Sequence, residues 1–191
     1  MPLIRIIRIL KNKAVRYLID IFISIYYRMF KSRTFIFQRK TYNYFYHPYN
    51  TTARNERAIE VPIIWNVIKK YDGKNILEVG NVLSHYFHFS HDTIDKYEES
   101  KDVINQDIVN FHPHKKYDLI VSISTLEHVG WDENPKDPNK ILRAIKNLKS
   151  CLAKKGKIII TLPLGYNPKM DRLLKERKIK FKRLSFIILY G

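Results

Sequence analysis

The chain has 191 residues, 45% of them hydrophobic and 13% aromatic, with one cysteine and a net charge of +17. That length and apolar content suit one domain with a sizeable core plus an appendage, and they exclude wholesale disorder. The lone Cys151 excludes an intrachain disulfide framework and a cysteine-based zinc site, which suits a reducing, cytoplasmic setting.

The charge is unevenly spread. Residues 1–57 hold twelve Lys/Arg against Asp20 and Glu56, a net of +10, and residues 170–191 hold seven against Asp171 and Glu176, a net of +5. The middle keeps only +2 and reads as an ordinary globular domain, so nucleic acid is not the expected partner of the core.

Residues 3–27 place Arg5, Arg8, Asn12 and Arg16 on one side of a helix and Leu3, Ile7, Leu10, Ala14, Tyr17 and Ile21 on the other. The longest stretch free of Lys and Arg, Tyr17–Tyr27, is too short to span a bilayer, which takes about 20 apolar residues. Two readings stand: a basic amphipathic helix peripheral on an anionic membrane face, or a helix packed on the domain or on a second subunit. Residues 28–57, with the aromatic run Tyr42–Tyr49, interleave bases and aromatics that suit nucleotide stacking or a lipid interface, and more often form an irregular connector packed on the domain. The first region is therefore 1–54, and an α/β domain is expected over 55–191.

Asn55 caps a predicted helix through Glu60, Ile64, Trp65 and Ile68, with Pro62 as a kink. Asp72-Gly73 turns the chain into a short apolar strand, Asn75–Gly80. Further short strands are predicted at Asp92–Asp95 and Asp102–Asn105. Tyr117–Ser124 is the clearest strand, apolar enough to be buried on both faces. Asp137-Pro138 opens a helix whose apolar face is Ile141, Ile145, Leu148 and Leu152, and Lys154-Lys155-Gly156 closes it. Lys157–Leu162 follows as a strand, Asp171–Lys178 as a helix and Lys180–Tyr190 as a last strand. Alternating strands and helices imply a doubly wound, mostly parallel sheet.

Ile76–Gly80 (ILEVG), Asp95, Asp107 in Asn105–Ile108, Ser122–Val129 (SISTLEHV) and the lysine-glycine-strand ending at Leu162-Pro163 resemble, in order, the class I S-adenosylmethionine-dependent methyltransferases. The resemblance spans residues 74–166 and implies a Rossmann-like fold with S-adenosylmethionine as cofactor. It implies that Glu78, Gly80 and Asn81 approach the methionine part, that Asp95 meets the ribose hydroxyls, that Asp107 and Ile108 meet the adenine, and that Ser124 lies beside the pocket. A carboxylate at a parallel strand end can accept both ribose hydroxyls, and a glycine lets a ligand approach the backbone.

The resemblance also implies methyl transfer to a small-molecule, glycan or lipid-linked acceptor. His128, with Glu127 beside it, is the candidate base, since histidine ordinarily titrates near neutrality. Asp132 and Glu133 share that loop, and Trp131 either walls the pocket or packs on the sheet.

Two features depart from the family pattern. Val82 and Ser84 replace glycines of the E-x-G-x-G-x-G loop, and the same segment lacks the later glycines of a dinucleotide motif. The twelve residues 81–92 leave room for one or two helical turns. The alternative function is thus a non-catalytic scaffold or a membrane-associated interaction protein of the same fold. The apolar ending Phe186–Tyr190 reads as a truncated product, or as a sheet completed by a partner copy. His85, His88 and His91 would diverge on a helix, and no metal is expected there.

Overall fold

The structure, a computed structural model, describes residues 13–31 and 33–187. Residues 3–12 of the predicted N-terminal helix and residues 188–190 of the predicted last strand lie outside the described residues. Two compact units emerge: one takes the chain up to Trp65 together with His85–Phe87, and the other holds Asn66–Ser84 and the chain from His88.

The first unit contains α1 (Lys13–Phe30) and an antiparallel hairpin, β1 (Thr34–Phe37) and β2 (Lys40–Asn43). The hairpin replaces the expected irregular connector. Its strands are β-branched and aromatic, and Phe35 stacks on its cross-strand partner Tyr42 at 5.4 Å. The turn carries no glycine: Gln38 and Arg39 take φ of 49° and 62°, so the usual Asn-Gly signal is missing from the sequence.

The aromatic run sorts by its period of two. Tyr44 and Tyr46 stack toward Tyr27 and Phe35, while Phe45, His47 and Tyr49 meet Tyr86. Pro62 sits inside α2 (Arg57–Ile68), where it cannot donate to the carbonyl of Ala58. The Phe45 amide takes that carbonyl instead, at 2.8 Å, and the helix continues.

The second unit is a five-stranded parallel sheet: β3 (Ile76–Val79), β4 (Asp92–Asp95), β5 (Val103–Asn105), β6 (Tyr117–Ile123) and β7 (Leu152–Thr161), in the order β5-β4-β3-β6-β7. With α3 (Lys140–Ser150) and α4 (Pro168–Lys175) it forms the expected Rossmann-like α/β fold. Leu77, Ile94, Ile120, Leu126, Ile141 and Leu148 are among its core residues. From β3 the chain winds outward through β4 and β5, then crosses to β6 and β7. The reversal puts a crevice beyond the carboxyl ends of β3 and β6, where such sheets bind ligands.

Four local expectations are corrected. Lys154-Lys155-Gly156 does not close α3; it lies within β7, where the register shifts between Tyr117 and Leu119. Glycine is required there by close approach, since a Cβ on Gly156 would stand 2.6 Å from the Tyr117 carbonyl oxygen. Residues 81–91 carry only a 3₁₀ turn, Leu83–His85. The last helix starts at Pro168, three residues early, because Asn167 caps it through the Lys169 and Met170 amides. Lys180–Ile187 forms no strand.

Candidate active site

The crevice is built from two strand ends that touch. Gly80, at φ 87°, ends β3, and its amide donates to the Ile94 carbonyl at 2.8 Å. A Cβ there would overlap the Thr125 side chain, so only glycine lets the loop after β3 pass the loop after β6. On the opposite side Ser124 is buried with φ 41°, a conformation that costs a non-glycine residue about 1 kcal/mol or more. Such strain persists only where the surroundings enforce it, and here β7 does so, since the Ser124 amide donates to the Thr161 carbonyl.

Glu78 is fully buried, and its carboxylate faces inward. Its Oε1 accepts the amides of Val82 (3.0 Å) and Leu83 (2.8 Å), and its Oε2 lies 3.1 Å from His91 Nε2. That is how the loop dispenses with two of the expected glycines. It wraps around the carboxylate, and the Val82 and Leu83 side chains are buried.

Asp95 holds the next layer. Its Oδ1 accepts the Tyr97 and Glu98 amides, and its Oδ2 accepts the Asn81 amide at 3.1 Å. The Asn81 side chain joins Glu98 and Ser84. Glu78, Gly80, Asn81 and Asp95 are therefore brought together.

Asp107 and Ile108 belong to a neighbouring group. Asp107 caps a 3₁₀ turn through the Val109 amide, and its Oδ2 meets Lys140 Nζ at 2.5 Å and Lys96 Nζ at 3.0 Å. The same two ammonium groups reach Glu133 Oε2, at 2.5 and 2.9 Å. Burial opposes ionisation of Asp107 and Glu133, but the lysine hydrogen bonds outweigh it and hold both below the usual carboxylate range. Lys96 is raised, its hydrogen bonds to Glu133 and Asp107 overcoming the effect of burial. Ile108 is a core side chain, and its carbonyl accepts the Asn147 amide nitrogen.

The loop after β6 carries the remaining groups. The His128 amide donates to the carbonyl of Thr125, the residue that packs on Gly80. His128 Nδ1 is 2.5 Å from Asp132 Oδ2, and its Nε2 is 3.8 Å from Glu127 Oε1. The Tyr166 hydroxyl donates to the same Asp132 oxygen at 2.6 Å, and its ring meets the imidazole edge-to-face. The Tyr166 hydrogen bond, then that of His128, lowers the Asp132 pKa; in return the phenol is pushed up to about 12.

An ionised carboxylate only accepts, so Nδ1 carries the proton shared with Asp132, and in the neutral ring Nε2 is the nitrogen with the lone pair. Glu127 is buried beneath, and its carbonyl accepts Asn167 Nδ2 at 2.7 Å, which ties the β6 and β7 loops together. Trp131 is half-buried under the Lys136 ammonium, 4.2 Å from the ring centroid.

A family profile described as a methyltransferase domain matches residues 62–186, more than half of the chain. The chain belongs to that family. Every group of the crevice described above falls inside the matched span. Among solved structures, the chain is similar to the X-ray structure of the sugar N-methyltransferase KedS8 from Streptoalloteichus sp ATCC 53650 (16% identity, TM-score 0.43), over 60% of this chain and 51% of that one. The chain thus spans about half the length of that structure. No curated protein matches.

Sequence reading missed Tyr166, Asn167, Lys96 and Lys140. Asn167-Pro168 was legible as a cap followed by a first-turn proline, whereas the two lysines carry no local signal. The three histidines of H-x-x-H-x-x-H part company: His85 stacks on Tyr49, while His91 meets Glu78 and Phe89. Among the described residues no group of three or more His, Cys, Asp or Glu could hold a metal ion.

Proposed function

We propose that this methyltransferase moves a methyl group from S-adenosylmethionine to an oxygen or nitrogen of a small-molecule, glycan or lipid-linked acceptor, with His128 as general base. The observation that carries the reading is the His128–Asp132 pair, set one turn beyond the Thr125–Gly80 contact, with both side chains partly exposed. When bound, the cofactor supplies an electrophilic methyl on a sulfonium.

At the ribose end one acceptor site remains for that group: a carboxylate offers about four, and three backbone amides take three of those of Asp95, which leaves one on Oδ2 for a single ribose hydroxyl. At the adenine end, Asp107 meets an amino group only by exchanging Lys96, the more exposed of its two ammonium partners.

The chain's own residues then divide the work. Gly80 and Asn81 line the approach, and Asp95 fixes the ribose. Asp132 holds the imidazole in one tautomer, and His128 Nε2 takes the acceptor's proton as the methyl moves in line. The imidazolium so formed lies between the Asp132 and Glu127 carboxylates, which stabilise its charge.

Isothermal titration of the folded chain with S-adenosylmethionine tests the cofactor; binding no tighter than millimolar sinks the reading. A second reading, a scaffold without catalysis, is favoured by the internal use of Glu78 and Asp107. Methyl transfer to any acceptor above the rate of a His128→Asn control rules it out.

A further inference from the structure

The helix α1 is apolar on more than its packed side: Val15, Ile19, Ile21 and Ile23 are half-buried, yet further large apolar side chains face out. Among the described side chains of α1 the fully buried one is Ser24, and Asp20 and Tyr27 are half-buried on the same side. Tyr27 packs on Tyr46, and Arg28 donates to the Tyr46 carbonyl at 2.9 Å. Leu18, Phe22, Ile25 and Met29 recur at spacings of three and four residues and form one stripe on the opposite, outward side. Phe22 is 71% exposed and Met29 69%, and the helix ends on Phe30, also 70% exposed. A folded unit ordinarily turns such a stripe inward, so this one is built to meet something else.

Charge identifies the occupant. Between residues 13 and 43 there are seven Lys/Arg and a single acid, Asp20, which is withdrawn from the outward side. Arg28, Arg33, Arg39 and Lys40 are exposed, and the hairpin places Ile36, 76% exposed, between the arginines. Large apolar side chains set among cations, with no exposed acid, match the boundary between acyl chains and anionic headgroups. Among the described residues no helix is long and apolar enough to cross a membrane, which leaves lying on the surface as the geometry for α1.

We infer that the outward stripe of α1 docks on an anionic lipid surface, with the hairpin cations on the headgroups. The inference is independent of methyl transfer.

Co-sedimentation of the full chain with phosphatidylglycerol and with phosphatidylcholine vesicles tests it. Binding is expected to the anionic vesicles only, and to weaken with salt. Phe22→Glu with Met29→Glu should reduce it at least about tenfold, because the charges abolish insertion. Arg33→Gln with Lys40→Gln should reduce it about 25-fold, at about fivefold for each cation lost near the surface. All four positions are exposed; unchanged circular dichroism and thermal midpoint confirm that the variants fold, and a Phe22→Trp reporter should shift its emission to the blue on anionic vesicles. Equal binding to neutral vesicles, or undiminished binding by the folded glutamate variant, overturns the inference. So does a stable dimer of the wild-type chain that Phe22→Glu dissociates and that shows no vesicle binding, since the stripe then meets a second copy.

Discussion

The two sides of the crevice use the same residue types in opposite ways. Beyond β3, β4 and β5, the carboxylates of Glu78, Asp95 and Asp107 look inward or sideways, onto backbone amides and lysines. Beyond β6 and β7, Asp132, His128 and Tyr166 are 41–43% exposed and bond mainly to one another. The first side is architecture that fixes the strand-end loops; the second is a small charged group open to solvent. An acid in a strand-end motif therefore does not by itself announce chemistry. Whether its lone pairs are already occupied decides that.

Substitutions should separate the two sides cleanly, and the largest effect belongs to the open side. His128→Asn removes the proposed base and should lower kcat by about 10²–10⁴-fold, while the thermal midpoint barely moves, since exposed substitutions cost within about 0.5 kcal/mol. Single-turnover methylation and a melting curve on one sample measure both. A stable variant with full activity would remove the base from the account. Glu78→Ala should do the reverse. It strands two buried amides, at about 3 kcal/mol in total, and should lower the midpoint by roughly 6–12 °C.

The paired cluster should respond less, and in a pH-dependent way. Lys140→Met leaves Asp107 and Glu133 to Lys96 alone, and chemical denaturation should register a loss of about 2 kcal/mol. Both carboxylates have folded pKa values below their unfolded ones. The unfolded chain therefore takes up protons first, so their stabilisation is present above about pH 4 and is lost as pH falls through the folded values. Melting temperatures taken from pH 7 to pH 3 should fall steeply at the acid end, and the fall should be shallower in Lys140→Met. Equal slopes would mean that the cluster contributes nothing through ionisation.

Much of the second unit was legible in the sequence because its strands are short apolar runs with one signature residue at each end. Ile76–Gly80 and Tyr117–Ser124 report their own burial, and α3 shows its face at Ile141, Ile145 and Leu148. What stayed hidden was set by distant partners. Gly156 resembles a helix stop until the Tyr117 carbonyl beside it is known. Lys140 resembles a solvated surface lysine until Asp107, 33 positions earlier, reaches it. The hairpin was masked by a turn of Gln38 and Arg39. On the site, Glu78 and Asp95 were located correctly as strand-end acids, but the direction of their carboxylates depends on loops that sequence spacing does not describe.

The smallest expected effect is also the most discriminating. Tyr166→Phe deletes one hydroxyl, which donates to Asp132 on the open side. Water can replace that donor at a residue exposed to this degree, so stability should change by less than about 0.5 kcal/mol. The Tyr166 hydrogen bond is the leading cause of the lowered Asp132 pKa, so its loss should raise that pKa. Protonated Asp132 no longer fixes the imidazole tautomer. The acid limb of the pH–rate profile should therefore move to higher pH, while kcat/KM near neutrality, where Asp132 stays ionised, changes by less than about twofold. A uniform loss of rate at every pH would instead make Tyr166 a wall of the acceptor pocket, and would break the view that the open side works as one hydrogen-bonded device.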